Sequence, residues 1–576
     1  MNILGIGSHN HDASAALVMD GQIVFSAAEE RFDRVKHSAR FPFNAVRAAL
    51  KRAGIGIEQV DAIAFYMDYR KYFQWLMYDM GRADTTTAFV AYAEDPAQLK
   101  KDLTYRYNLA DLRLRQIREN LGFAGPVVAV GHHLAHAASA FFNSGFDQAA
   151  ILTMDAIGEW DTTSFGVGQG SDVRCFRTIR YPHSLGTVYK AMSVFLGFGE
   201  NDSGKTMGLA AYGDPAPYRE TFRDWVKLTE DGGFAITDGY LCHRYVARYW
   251  SRSLADFGPA FLSAFGKPRQ GGDALSCDHE NIAAALQERL EQAGVHLARH
   301  LKAVTSEDKL CIAGGVGLNG VMNYRILREA GFDSVFVPPP AGDDGASLGA
   351  AQYLSHVVHG EPRRHQIFSP YLGSCWNEGE MSDAAARADA IMQRVDDPAE
   401  AAARRIADGK IIGWFQGRSE VGPRALGNRS ILADARHPEM KDTINDRVKF
   451  REPFRPFAPA CLAEHAAEYF MIEQPSPYML MVAPVKPEKR DAIPAVMHVD
   501  GTARIQTVTR SDNPIFYDLI LRFHELTGMP LILNTSFNVR GEPIVNSPFD
   551  AVRCFESTAL DALVMGPFVL DKATRD

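Results

Sequence analysis

The chain reads as an α/β protein of two units, and three features carry that reading. Strand patterns closed by Gly or Asp turns open the sequence, and the same pattern returns after Gly145, so the first unit has a duplicated core. From about Val358 to Ser374 a Pro- and Gly-broken stretch without periodicity separates it from a second mixture of helices and strands. The boundary is set near 360, giving units 1–360 and 361–576.

The elements follow in order. MNILGIGSH, ASAALVMDG and QIVFSAAEERF read as three strands, with Asp20-Gly21 as a tight hairpin turn. FPFNAVRAALKRAGI and AQLKKDLTYRYNLADLRLRQIRENLGF carry helical apolar spacing and read as covering helices. QAAILTMDAIGEWDTTSFGVGQG repeats the strand, Asp-rich turn and strand of the opening. EDKLCIAGGVGLNGVMNYRILREAGF is a strand, a Gly-rich turn and a helix, and DSVFVPPP a further strand. In the second unit DPAEAAARRIADG is a helix, KIIGWF and PLILNTSF are strands, and AVRCFESTALDALVMGPFVLDK closes the fold.

The 576 residues suffice for several domains. A formal charge of -9 argues against a nucleic-acid coat, while a local basic pocket for a small anion stays compatible with it. Seven scattered cysteines without a CxxC pair fit a reducing cytoplasm. No apolar window reaches membrane-spanning length and the start lacks a leader pattern, so a cytoplasmic protein with no membrane or nucleic-acid partner is expected, with a homodimer left open.

His132 and His136 in GHHLAHAASAFF lie four apart on a small-residue helix, which puts both imidazoles on one face. Such a pair is more often structural than a metal clamp, but Asp155 in ILTMDAIGEWD and Asp343 with Asp344 in PPPAGDDGASLGAA offer the missing oxygens. Four turns, HNHDASAAL, DAIGEWD, NDSGKTMGLAAYG with Lys205, and AGGVGLNG with Gly314 and Gly315, let backbone amides face a phosphate. None has P-loop or GxGxxG spacing. In the second unit Arg418, Arg424, Arg429, Lys449, Arg451 and Arg455 alternate with Gly, Pro and Phe, as a phosphate-gripping cluster does and a solvated helix does not. NTSFNVRGEP adds Asn534 and Ser536, suited to an amide-like group. Aromatic residues from Tyr66 to Met80 favour a core or interface helix over a substrate wall; read as a wall, they suit an apolar macrolide- or ansamycin-like acceptor better than an aminoglycoside.

EERF followed by KH, HHLAHAASA, SGKTMGLAAYG, GGVGLN, GDDGASLGAA, GPRALGNRSILAD, REPFRPFAP and NTSFN, in this order, closely resemble the O-carbamoyltransferases of the NodU/CmcH type. The resemblance implies an actin-like (ASKHA) two-lobed domain that binds metal and ATP, fused to a YrdC-like α/β domain that makes an acyl adenylate. It implies His132, His136, Asp155 and Asp343 as ligands of iron(II), with Asp344 as an alternative to Asp343 and zinc or manganese as alternative ions. It places Lys36, Asp155, Gly186 and Asn319 near the nucleotide, Arg424, Lys449, Arg455, Asn534 and Ser536 around carbamoyl phosphate, and His11 and Asp12 facing the acceptor. Asp68 to Asn120 has no counterpart in the pattern.

The implied activity is ATP-dependent transfer of a carbamoyl group from carbamoyl phosphate, through carbamoyl adenylate, to a hydroxyl of a secondary metabolite such as an antibiotic, with ATP and Mg2+ as substrate. The alternatives are a threonylcarbamoyl enzyme acting on tRNA, a sugar-kinase-like phosphotransferase and an ATP-switched interaction protein. Salt-sensitive tRNA binding, release of ADP, and absence of AMP would respectively point to them.

Overall fold

The computed structural model describes residues 1–71, 73–74, 101, 104–105, 107–241, 257–270, 272–363 and 368–572. Most of the expected aromatic stretch, and part of the helix pattern before Asn108, therefore lie outside the described residues.

Three antiparallel strands open the chain, β1 (Asn2–Gly7), β2 (Ser14–Met19) and β3 (Gln22–Ala28). Asp20 and Gly21 join β2 to β3 with φ of 49° and 74°, the conformation a two-residue I′ turn demands. The parallel strands β4 (Ala62–Phe65) and β5 (Val127–Ala129) extend the sheet to the order β3-β2-β1-β4-β5. The second sheet repeats this plan. Here β6 (Gln148–Met154), β7 (Asp161–Gln169) and β8 (Asp172–Arg180) form the antiparallel meander. A small ribbon of β9 (Val226–Leu228) and β10 (Phe234–Ile236) intervenes, and the parallel strands β11 (Lys309–Ala313) and β12 (Ser334–Phe336) complete the order β12-β11-β6-β7-β8. The repeat seen in sequence is thus a repeat of topology, and the pair of α/β lobes is consistent with an actin-like fold.

Two helices lie between the lobes. His132–Phe141 packs on β6 and β11, Asp343–Tyr353 packs on β1 and β2, and the helices pack on each other. Their small residues allow the approach: a Cβ on Gly349 would stand 1.9 Å from the Ala135 carbonyl oxygen, and one on Gly5 of β1 would stand 1.9 Å from that of Ser347. Alanine and glycine in HHLAHAASA and DDGASLGAA are therefore what bring the His and Asp ends of the helices together.

After the π-helical turn Leu354–Val358, the described residues form no helix or strand until Glu378–Ala385. The strands that follow are β13 (Ala390–Arg394), β14 (Ile412–Phe415), β15 (Arg429–Ala433), β16 (Ala458–Leu462), β17 (Val482–Pro484), β18 (Thr502–Arg504), β19 (Gln506–Val508), β20 (Leu531–Ser536), β21 (Ala562–Met565) and β22 (Phe568–Lys572). Eight of them make one mixed sheet, β13-β22-β21-β14-β15-β20-β16-β19, and β17 pairs with β18 alone. The helices Pro398–Ala407, Pro514–Thr527 and Pro548–Glu556 each begin with Pro at N1, and their Asp397, Asn513 and Ser547 caps accept from the first turn.

This sheet is clamped to the first lobes. Arg31 donates to the Gly422 carbonyl, Arg34 to those of Pro543 and Ile544, Arg418 to that of Val24, and Asn323 to that of Leu480. Among the described residues no helix is long and apolar enough to cross a membrane, and the described cysteines are free thiols.

Candidate metal centre and anion pocket

At the start of the two central helices, His132, His136, Asp155 and Asp343 converge in a buried cluster with one ligand atom from each within 4.8 Å of the others. His132 Nε2 lies 3.0 Å from Asp155 Oδ2, 3.0 Å from His136 Nε2 and 3.5 Å from Asp343 Oδ1. His136 Nε2 lies 3.6 Å from Asp155 Oδ2 and 3.7 Å from Asp343 Oδ1. Donors around a tetrahedral ion with bonds of about 2.1 Å sit about 3.4 Å apart, so the cluster fits a divalent metal in spacing and in chemistry. Burial alone would raise the Asp155 carboxyl, but hydrogen bonds from the two imidazoles hold it well below the ordinary range. Burial opposes charge on His136 as well, yet Asp155 and Asp343 push its imidazole up to about 9. The sequence left Asp343 and Asp344 as alternatives; Asp343 alone joins this cluster. Asp344 points away, and burial, then Asp12 and Glu30, push its carboxyl up to about 8.

Of the residues expected near a nucleotide, the glycines gather around Asp155. Asp155 Oδ1 accepts from the amides of Ala156 and, at 3.3 Å, Gly315. Gly186 packs on the backbone of Asp155 and Ala156, and Gly314 on the Met154 carbonyl. Asn319 is nearby but committed: its amide exchanges two hydrogen bonds with Gln287, and its Oδ1 caps the helix Gly320–Glu329. Lys36 is exposed and acts on Asp202, while Lys205 pairs with Asp202 at 3.0 Å and with Glu452 of the second unit at 3.3 Å.

A third group, electrostatically linked to Asp343, gathers around Asp12. Asp12 Oδ2 is 2.8 Å from His11 Nδ1, and Asp12 Oδ1 is 2.8 Å from His37 Nδ1. Burial opposes ionisation of Asp12, but the two imidazoles outweigh it and hold the carboxyl far below the usual range. The His11 imidazole is raised; burial would lower it, and Asp12 and Asp343 overcome that. Tyr66 and Tyr69, part of the aromatic stretch, are core residues with 1% and 7% exposure, Tyr66 packing on the His132 ring. These two form no acceptor wall; Trp75 to Met80 lie outside the described residues.

The second unit holds a basic pocket. Arg424, Lys449, Arg451, Arg455 and Arg504 face one another: burial, then Arg455, lowers Arg424 to about 10, and burial, then Arg455, lowers Arg451 to about 9. Arg504 is driven well below its ordinary range by burial and then by Arg424, Arg451 and Arg455, without a carboxylate among its causes. An arginine does not shed its proton near neutrality, so these shifts express the cost of burial first and mutual repulsion second, both of which a bound anion relieves. Lys449 donates to the Ser536 carbonyl and, at 2.8 Å, to Asn538 Oδ1; Asn534 is fully buried, its Nδ2 on Gln506 and its Oδ1 unpartnered. Two expected members do not belong. Arg418 donates to the Gly373 and Val24 carbonyls, and Arg429, buried over the Phe415 ring, donates to those of Gln416 and Asn428. They are structural clasps, because loops that lack a ladder must bond their carbonyls elsewhere. Arg504 was missed: three short residues of β18 carry no composition signal, and only the fold turns its guanidinium toward the REPFR loop.

The chain thus combines two topologically repeated α/β lobes with a basic third sheet, a metal-capable cluster and a cluster of arginines. Residues 2–352 match the model "Carbamoyltransferase N-terminus" and residues 403–572 the model "Carbamoyltransferase C-terminus", so the chain belongs to the carbamoyltransferase family and is a carbamoyltransferase. It is 39% identical to the nodulation protein NolNO of Sinorhizobium fredii, over 98% of this chain and 79% of that protein. It is 40% identical to the nodulation protein NolO of Bradyrhizobium diazoefficiens, over 77% of this chain and 79% of the relative, and 38% identical to the protein sll1178 of Synechocystis, over 100% and 97%. Of solved structures, HypF in its phosphate- and nucleotide-bound form aligns with 62% of this chain and 56% of its own at a TM-score of 0.32 and 13% identity.

Proposed function

We propose that this carbamoyltransferase moves the carbamoyl group of carbamoyl phosphate, with ATP, to a hydroxyl of a secondary metabolite in the cytoplasm. The observation that carries the reading is one chain holding two unlike clusters, half-buried arginines that lower one another's proton affinity in the second unit and a buried His2Asp2 group in the first. The units are 1–360 and 361–576, the latter of YrdC-like type.

In the second unit Arg424, Arg455 and Arg504 bind the phosphate of carbamoyl phosphate, each charged bond contributing about 1.5–3 kcal/mol. Asn534 and Ser536 meet the amide end. A water oxygen bonds the phosphorus of carbamoyl phosphate as its bridging P–O bond breaks, releasing inorganic phosphate and carbamate, and the carbamate oxygen attacks the α-phosphate of ATP, expelling pyrophosphate and leaving carbamoyl adenylate. Water destroys such a mixed anhydride, so the units face each other and pass it internally. In the first unit Gly186, Gly314 and Gly315 admit the adenylate close to backbone amides, with Lys36, Lys205 and Asn319 at its rim. His132, His136, Asp155 and Asp343 would hold iron(II), zinc or manganese, which supplies positive charge beside the phosphate. His11 and Asp12 face the acceptor, whose proton is taken as its oxygen meets the carbamoyl carbon.

Carbamoyl-phosphate-dependent exchange of labelled pyrophosphate into ATP tests the first stage. A panel of a macrolide, an ansamycin, an aminoglycoside, a cephem and a nodulation factor, screened by mass for one added carbamoyl unit, tests the second. His132→Ala should lose bound metal and transfer while keeping the exchange; loss of exchange in a folded protein would refute the division of labour.

A further inference from the structure

Asp12 and His37 share two properties. Both hold backbone in the left-handed region, with φ of 57° and 54°, which non-glycine residues adopt only when their surroundings impose it, and their side chains bond each other at 2.8 Å. The segment that carries His37 is held from both sides. The His37 amide donates to Glu30 Oε2 at 2.8 Å, Arg31 donates to Gly422 beside Arg424, and Arg34 donates to Pro543 and Ile544. What this anchoring delivers is an imidazole on the free oxygen of the carboxylate that bonds His11.

An ionised carboxylate carries no proton, so each imidazole must donate to it from Nδ1–H, which leaves Nε2 of each as the basic nitrogen. The two histidines differ in what lies beyond. His11 feels Asp343 of the metal-capable cluster, where the carbamoyl donor is placed, whereas the His37 imidazole groups with the Asp12 and Glu30 carboxylates, one nitrogen or oxygen of each within 4.8 Å of the others. We propose that His37 is a positioning residue for carbamoyl transfer: its Nδ1–H fixes Asp12, and Asp12 fixes His11 in the tautomer whose Nε2 takes the acceptor proton. In that step the acceptor O–H bond breaks and its proton passes to His11 Nε2. The acceptor oxygen bonds the carbamoyl carbon, the carbon–oxygen bond to phosphate breaks, AMP departs with the electron pair, and the imidazolium returns its proton to water. The relay has the order base, orienting carboxylate, second donor, in which a wrong tautomer of the base is costly.

The inference rests on the function proposed above, and the test separates the two. His37→Asn places an amide N–H near the position of Nδ1, His37→Gln does not, and His37→Ala removes the donor. With the acceptor that the mass panel identifies, kcat for transfer should fall about 100-fold or more in His37→Ala and His37→Gln with the acceptor KM unchanged, and return most of the way in His37→Asn. Pyrophosphate exchange should equal wild type in all three, which also reports folding; if His37→Ala fails to fold, the Asn and Gln pair decides. Transfer at the wild-type rate in His37→Gln, or a His37→Asn protein as slow as His37→Gln, overturns the inference. A wild-type protein that exchanges pyrophosphate but carbamoylates nothing in the panel overturns the proposed function beneath it, and the inference with it.

Discussion

Arg504 shows what a single residue contributes that its sequence neighbours do not announce. It is a half-buried cation whose charged neighbours are Arg424, Arg451 and Arg455, so it raises the energy of the empty protein and lowers that of an anion complex. Arg504→Leu should therefore leave Tm of the ligand-free protein unchanged or higher, abolish most of the Tm rise that phosphate produces, and raise KM for carbamoyl phosphate about 10- to 100-fold. Differential scanning fluorimetry and exchange kinetics read both. Asp344 gives a pH signature. Its carboxyl is raised to about 8 from an ordinary 3.8, so between those values the native state binds more protons than the unfolded chain, and stability falls as pH rises through that window. Asp344→Asn should flatten the slope of urea stability between pH 4 and 8 and be the more stable protein at its upper end. At this scale the four residues that converge, His132, His136, Asp155 and Asp343, were legible as candidates, because helical spacing and Asp turns are local signals. The distinction between Arg424 and Arg429 was not, since both sit in one GPRALGNR run and differ only in whether backbone carbonyls or another guanidinium, that of Arg455, stands against them.

The elements explain why those side chains meet. Two small-residue helices could be read from sequence as helices, but their mutual packing is a property of Gly349 against Ala135, which no periodicity reveals. The same holds for the turn between the units' pockets. Gly422 has a φ of 89°, and a Cβ there would stand 2.5 Å from the Pro339 carbonyl in the turn leading to Asp343. Backbone on backbone leaves no side chain to yield, so Gly422→Ala must displace either the Arg424 loop or the Asp343 turn. It should cost about 1–3 kcal/mol in urea unfolding and raise KM for carbamoyl phosphate and weaken metal binding together, the second measured by metal content after dialysis. The strand meanders and the Asp20-Gly21 turn were legible because register and turn chemistry are local. The duplicated topology was only hinted at, since parallel neighbours such as β1 and β4 are joined across covering helices rather than by a turn.

For the whole molecule the decisive contact is the one across the seam. Lys205 of the first unit reaches Glu452, which also lies 3.8 Å from Arg455 and 3.5 Å from Arg540 of the second. Neither the nucleotide-turn lysine nor the REPFR loop could be paired in sequence, because the chain separates them by most of a domain. The pair is only 15% and 23% exposed, but Glu452 keeps Arg455 and Arg540 when Lys205 is removed, so Lys205→Met should lower Tm by no more than about 2–4 °C, and it touches neither Arg504 nor the His2Asp2 cluster. What it loosens is the closure between the chambers. If the activated carbamoyl group crosses that seam internally, each AMP formed by the wild type should correspond to one carbamoylated product. In Lys205→Met pyrophosphate exchange should persist while AMP outruns product, the excess appearing as ammonia and bicarbonate from hydrolysed donor. Simultaneous assay of AMP and product gives the ratio directly. A ratio that stays at the wild-type value while both rates fall together would leave Lys205 its place at the adenylate's rim alone, with the seam playing no part in protecting the intermediate.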